Sequence, residues 1–204
     1  MNYVLKRILS FLIFIAPFGV FSQSISMSGM ISNNVASFPV TSYPQLFYSQ
    51  FHPGIDVAKC WKINKSAKHQ LWAVANAGVF YHRFVQTGVK IYPSLDYKYL
   101  ICDRVRLNIG LGVGYMHSFE GYEVFKLKDG GGYETQKVWV GRSQFIAALD
   151  WGCDYKLKKD AENSPLLVFQ FRTNMQGPFV KSYVTILPVN SVLLGVTLPL
   201  IKNK

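Results

Sequence analysis

Hydrophobic and polar residues alternate along most of this chain with a period of two. Over Arg104–Ser118, one face carries Val105, Leu107, Ile109, Leu111, Val113 and Tyr115, and the other carries Arg104, Arg106, Asn108, Gly110, Gly112, Gly114 and Met116. That period belongs to a strand, whose successive side chains point to opposite faces, and not to a helix. The same pattern runs through Ser24–Asn33, Pro53–Ile63, Gln70–Phe84, Val89–Ile101, Gly141–Leu157, Leu166–Asn174 and Ser191–Ile201, eight strands in all. Most exceed the roughly five or six residues usual for strands of soluble proteins. They suit a strand that crosses a bilayer at a tilt, which needs about 9–11 residues. An apolar face opposite a mixed polar and glycine face is the pattern of a small barrel with lipid outside and a filled interior. The sequence therefore predicts an all-β fold, an eight-stranded antiparallel up-and-down transmembrane β-barrel.

The connections sort into two sets that alternate along the chain. Asn64–His69, Cys102–Asp103 and Lys158–Ser164 are short or polar; Asn34–His52, Val85–Thr87, Phe119–Val140 and Met175–Asn190 are mostly longer. Outer-membrane barrels have short periplasmic turns and longer external loops, so this division places both ends of the barrel on the periplasmic side. Within Phe119–Val140, alternating residues flank Asp129–Gly132, a turn signal that predicts a projecting hairpin. Its three glycines are no phosphate loop, because no strand-to-helix transition follows them.

Residues 1–22 read as a secretory signal peptide, leaving 23–204 as the barrel domain. Lys6 and Arg7 form a basic start, Ile8–Phe21 is apolar but too short and too broken by Pro and Gly to span a bilayer, and Val20 and Ser22 are the small residues of a cleavage site before Gln23. The first cysteine after that point is Cys60, which excludes a lipoprotein anchor.

Composition sharpens the picture. The 204 residues are 50% hydrophobic and 16% charged, against a usual charged share of about 25%. No apolar run reaches the roughly 18 residues of a membrane helix, so the apolar content is spread over strand faces. An aromatic share of 15% excludes a disordered tail. Lys and Arg number 22 against 11 acidic residues; without Lys6 and Arg7 the basic count is 20, a formal charge of +9. Much of the excess (Lys59, Lys62, Lys65, Lys68, Lys156, Lys158, Lys159, Lys202 and Lys204) falls at the periplasmic rim, where anionic lipid headgroups or simple solvation account for it and nucleic acid does not.

The stretches Ala77–Gln86 (AGVFYHRFVQ), Leu111–Phe119 (LGVGYMHSF) and Leu193–Leu200 (LLGVTLPL), behind a signal peptide, resemble small outer-membrane β-barrel proteins of Gram-negative bacteria, particularly uncharacterised ones of the Bacteroidota type. The resemblance implies an outer-membrane location, contact with lipid bilayer and lipopolysaccharide, another outer-membrane protein as a candidate partner, and no cofactor. The expected role is structural or interactive: loop display, or an accessory subunit of an envelope complex. Some barrels of this kind modify lipid A, so a lipid A hydrolase or acyltransferase is the alternative, and a narrow pore a third.

Three groups of residues carry candidate chemistry. Asp56, Asp96, Asp150 and Asp154 share the expected lumen with Lys62, Lys90, Lys98, Arg104, Arg106, Arg142 and Arg172. An eight-stranded interior is just wide enough to be filled by side chains, and buried charges must pair, so a salt-bridged plug is expected. At the outer rim, His82, His117, Ser118 and Glu120 offer the elements of a base, a nucleophile and an orienting acid. His117 and Ser118 are adjacent and point to opposite faces, so His82 with Ser118 is the better pair; otherwise both histidines belong to an aromatic girdle with Tyr81, Tyr115 and Phe119. On the loops, Tyr122, Phe125, Tyr133, Trp139, Phe179 and Tyr183 are candidate contacts for a partner or lipopolysaccharide, the alternative being a solvated or lipid-skimming hairpin and a last loop folded over the barrel mouth. Cys60, Cys102 and Cys153 all fall near the periplasmic end; an odd count leaves at least one thiol without an internal partner, and their spacing with His matches no zinc site.

Overall fold

The computed structural model describes residues 24–83, 85–119, 124–127, 130–136, 141–158, 164–179 and 185–202. The leader reading, residues 1–22, lies outside them. Eight strands close into a barrel: β1 (Ser24–Ala36), β2 (Pro53–Lys62), β3 (His69–His82), β4 (Gln86–Cys102), β5 (Val105–Phe119), β8 (Arg142–Lys156), β9 (Leu166–Gly177) and β10 (Leu187–Lys202). Each is antiparallel to both neighbours, and β1 closes the wall against β10. Two shorter strands, β6 (Val124–Leu127) and β7 (Tyr133–Gln136), form the hairpin expected between β5 and β8. A single helical turn, α1 (Gln45–Tyr48), sits in the loop between β1 and β2.

The stagger of the wall follows from the pairing. Starting at Ile25 and stepping across strands, the partners are Trp61, Ala73, Leu95, Leu111, Leu149, Thr173 and Asn190, and the circuit returns to β1 at Val35, ten residues above its start. Ten residues at about 3.3 Å, set against eight spacings of about 4.8 Å, tilt the strands by roughly 40°. That is the tilt of a membrane-spanning barrel of this size.

The expected alternation holds around the wall. Outward positions such as Ile31 and Leu111 are 63% and 66% exposed, while inward Tyr92, Met116, Ile146 and Leu193 are buried. Inward glycines make room for large inward neighbours. A Cβ at Gly112 would stand 2.7 Å from the Tyr92 ring, and one at Gly78 would stand 2.6 Å from an Asp56 carboxylate oxygen. Strands β9 and β10 run further than the alternation predicts: β9 continues through inward Gln176 to Gly177, and β10 begins four residues earlier at Leu187, with outward Asn190 opposite Thr173.

Candidate functional site

Two ion-pair networks fill the lumen. In the first, Asp56 of β2 is ion-paired with Lys90 of β4 at 2.8 Å and accepts from Arg172 of β9 at 2.7 Å, and Arg172 also donates through Nε to Asp150 of β8. The register explains the meeting of Asp56 and Lys90: both lie opposite Gly78, which has no side chain to separate them. In the second, Asp154 accepts from Arg106 at 2.8 Å, Lys98 at 3.2 Å and Asn108 at 2.9 Å. Between them, Asp96 accepts from Ser94 at 2.9 Å, and Ser94 from Asn76 at 3.0 Å. The four carboxylates thus face four cations (Lys90, Lys98, Arg106 and Arg172), with a cavity of only about 20 Å³ among them.

One expected lumen residue is elsewhere. Arg104 lies in the turn before β5, is exposed, and donates to the Tyr155 hydroxyl at 3.1 Å. The period-two pattern was extended one residue beyond the strand, which starts at Val105. Lys62, at the last residue of β2, is half-buried at the lumen's edge. Lys90, inferred only from parity, is central to the first network.

Above the ion pairs the inward residues are mostly uncharged, with Arg142 opposite Ser118 as the cation at this end. Gln86, Ser118, Gln144, Asn174 and Gln176 are all buried, and among the described residues the amide atoms of Gln86, Asn174 and Gln176 have no protein partner, a chemistry that water satisfies. Gln144 donates to the Pro178 carbonyl at 3.1 Å and Arg142 to the Phe179 carbonyl, so the last loop is tied over this end of the barrel. The Phe179 ring also lies 5.0 Å from the Arg142 guanidinium.

His82 and Ser118 both point inward, as parity required, but they are not brought together. His82 pairs with Gln86 and Ser118 with Gly88, so they stand two strands and two residues apart, about 10 Å across the sheet. The His82 ring instead stacks on His52, 3.7 Å between centroids and 9° from parallel. Burial pulls His52 below the ordinary histidine range, with a hydrogen bond to the Asn34 backbone working the other way. His117 faces outward: its Nδ1 lies 2.8 Å from the Tyr115 hydroxyl, which reaches Ser143 Oγ at 3.0 Å, and its ring packs on Phe119. Glu120, Tyr122, Trp139 and Tyr183 lie outside the described residues; the backbones of Phe125 and Tyr133 lie in the β6–β7 hairpin. The three cysteines are not bridged: Cys60 faces the lumen, Cys102 is exposed at a turn and Cys153 is half-buried.

Sequence reasoning missed the most elaborate external feature, the β1–β2 loop. It does not stand clear of the barrel but folds back against the outside of the wall. Tyr43 and Leu46 are buried against Val35, Phe171 and Val192. The Tyr43 hydroxyl bonds Thr173 at 2.7 Å and accepts from Trp151 Nε1 at 3.2 Å. Asn33 donates to the Leu46 carbonyl at 2.7 Å and accepts from the His52 amide at 2.8 Å, and Asn190 donates to the Phe38 carbonyl at 2.7 Å. The signal was present in the sequence. Asn33, Thr173 and Asn190 are polar residues at outward positions, where lipid would leave them unsatisfied. The loop's other aromatics, Phe38, Phe47, Tyr48 and Phe51, are exposed.

Beside this loop the outer wall is hollowed. A trough of about 690 Å³ crosses the outward faces of β3, β4, β5, β8 and β9. Ala73, Ala75, Pro93 and Ala147 form its shallow floor, Leu95, Leu111, Leu149, Val113 and Met175 its sides, and Pro39 and Val40 of the loop border it, with Trp61 of β2 also in its lining.

A closed antiparallel wall of eight tilted strands, apolar outside and charged within, has a counterpart among solved structures. The fold is that of an outer-membrane eight-stranded β-barrel. Neisserial surface protein A is similar over 88% of this chain and 96% of its own, with a TM-score of 0.52 and 13% identity. The outer membrane enzyme PagL matches over 86% of this chain and 99% of its own, with a TM-score of 0.48 and 10% identity. Ail, the attachment invasion locus protein of Yersinia pestis, matches over 87% and 97%, with a TM-score of 0.42 and 15% identity. No family model matches the sequence, and no curated protein matches it. At these identities the likeness establishes the shape of the barrel and leaves its chemistry to its own residues.

Proposed function

We propose that the chain is exported behind residues 1–22 into the outer membrane, where the barrel serves a structural or interaction role. It holds loops at the cell surface, or acts as an accessory subunit of an envelope complex. The observation that carries this reading is the lumen. Ion pairs joining β2, β4, β8 and β9 fill it, and a charge-balanced plug with about 20 Å³ of free space supports a rigid scaffold over a conduit. The elaborated parts are the connections: a clasped loop that exposes Phe38, Phe47, Tyr48 and Phe51, and the β6–β7 hairpin.

Crosslinking in whole cells from photoreactive residues at Phe47, Tyr48 and Phe51, followed by purification in mild detergent, tests it. The expected product is one recurrent envelope protein joined at these positions. Recovery of a lone, uncrosslinked monomer would contradict the accessory-subunit form. The alternative, a lipid A-modifying enzyme, has its own test: His82→Ala, Ser118→Ala and His117→Ala are expected to leave the lipid A mass spectrum unchanged. A change with any one of them would favour the enzyme.

A further inference from the structure

The trough on the outer wall is a large apolar concavity of about 690 Å³, and the lumen networks do not use it. Three observations define what fits it. First, small outward residues, Ala73 and Ala75 of β3 and Ala147 of β8, share its lining with the larger Leu95, Leu111, Val113 and Leu149, so the wall is indented there by the sequence itself. Second, it follows the register rows that climb across the tilted strands, so it runs obliquely from Ala73 on β3 up to Met175 on β9, where Pro39 and Val40 of the external loop border it. Third, polar outward groups stand above it. Val113 and Ala147 are opposite each other in the trough; four residues further out on the same strands, His117 is opposite Ser143, with Tyr115 bonded to both. Four residues of strand are about 13 Å, a separation that places an apolar tail below and a polar headgroup above.

We propose that the trough, closed at its outer end by Pro39 and Val40, seats one acyl chain of a lipopolysaccharide molecule of the outer leaflet, with the Tyr115–His117–Ser143 cluster against its headgroup region. Lipopolysaccharide is chosen over phospholipid because the polar cluster and the loop lie at the external end, in the leaflet that lipopolysaccharide builds. The exposed Phe38 and Phe47 carry the loop's apolar surface into the same leaflet. This assignment rests on the outer-membrane reading above and gives the barrel's surface contact a defined place.

The test uses the full-length protein purified from outer membranes in mild detergent, and also refolded into phospholipid nanodiscs with added rough lipopolysaccharide. Native mass spectrometry reads the bound lipid. Wild type is expected to retain one lipopolysaccharide per barrel in both settings. Ala147→Leu and Ala75→Leu fill the floor without making the wall polar, and are expected to weaken retention roughly tenfold, the effect of excluding about two methylene groups from burial. Ile31→Phe, on an outward position away from the trough, is the control and is expected to retain lipid like wild type. Heat-modifiable migration on gels checks that each variant is folded. Equal retention by wild type and the filled variants, or retention of phospholipid in place of lipopolysaccharide, would overturn the assignment. Absence of the wild-type protein from the outer-membrane fraction would instead overturn the localisation on which it rests.

Discussion

Arg172 neutralises two carboxylates at once, Asp56 at 2.7 Å and Asp150 beside it, on a side chain that is 1% exposed. Truncating it leaves one buried charge paired only with Lys90 and another without Arg172's Nε donor. Arg172→Leu is expected to destabilise the barrel by roughly 3–5 kcal/mol, read as a shift in urea unfolding in detergent; a loss below about 1 kcal/mol would mean the network is dispensable. His52 offers a second residue-level prediction. Its folded pKa lies below the ordinary value because of burial, so the folded state disfavours the proton. The stability it supports is present above the unfolded pKa of about 6.5 and is lost as pH falls below it. Acidification to pH about 5 should therefore loosen the mouth near the His52–His82 stack, seen as faster cleavage in the β1–β2 loop, and His52→Phe should weaken that pH dependence. Much at this scale was legible from parity alone. Asp56, Asp96, Asp150, Asp154, Lys98, Arg106 and Arg172 all face inward as alternation required. Arg104 was misassigned because alternation carries no mark of where a strand begins. The stacking of His52 on His82 was not legible, since it continues the β2–β3 register two residues past the Gly54–Phe80 pair, into a loop that carries no alternation.

The strands themselves were readable because each must keep one face apolar over its whole length, and that demand writes itself into every second residue. The β1–β2 loop was not. Its anchoring depends on which outward faces the closed barrel brings beside it, and Tyr43 meets Trp151 and Thr173 only after β8 and β9 have joined the wall. The outward polar residues Asn33, Thr173 and Asn190 make sense only with the loop in place. Tyr43→Ala removes a buried ring and two hydrogen bonds of about 1 kcal/mol each. It is expected to release the loop, raising protease cleavage between residues 37 and 52 by at least about tenfold while the strands stay protected. Unchanged cleavage would show that the loop is held by other contacts.

At the scale of the whole molecule, a stagger of ten residues over eight strands fixes the tilt and with it the narrow bore. Two ion-pair networks then close that bore, so reconstituted vesicles are expected to stay impermeant to small sugars, with no steady single-channel conductance. Opening by Arg172→Leu would show that this network is the barrier. The central claim is that alternate residues of the same strand face lipid and lumen. Footprinting with a lipid-soluble carbene, in vesicles and read by mass spectrometry along β5, tests it most directly. Labelling is expected at Leu107, Ile109, Leu111 and Val113 and not at Asn108, Gly110, Gly112 and Met116. Uniform labelling, or labelling of the second set, would contradict the barrel's placement in a bilayer.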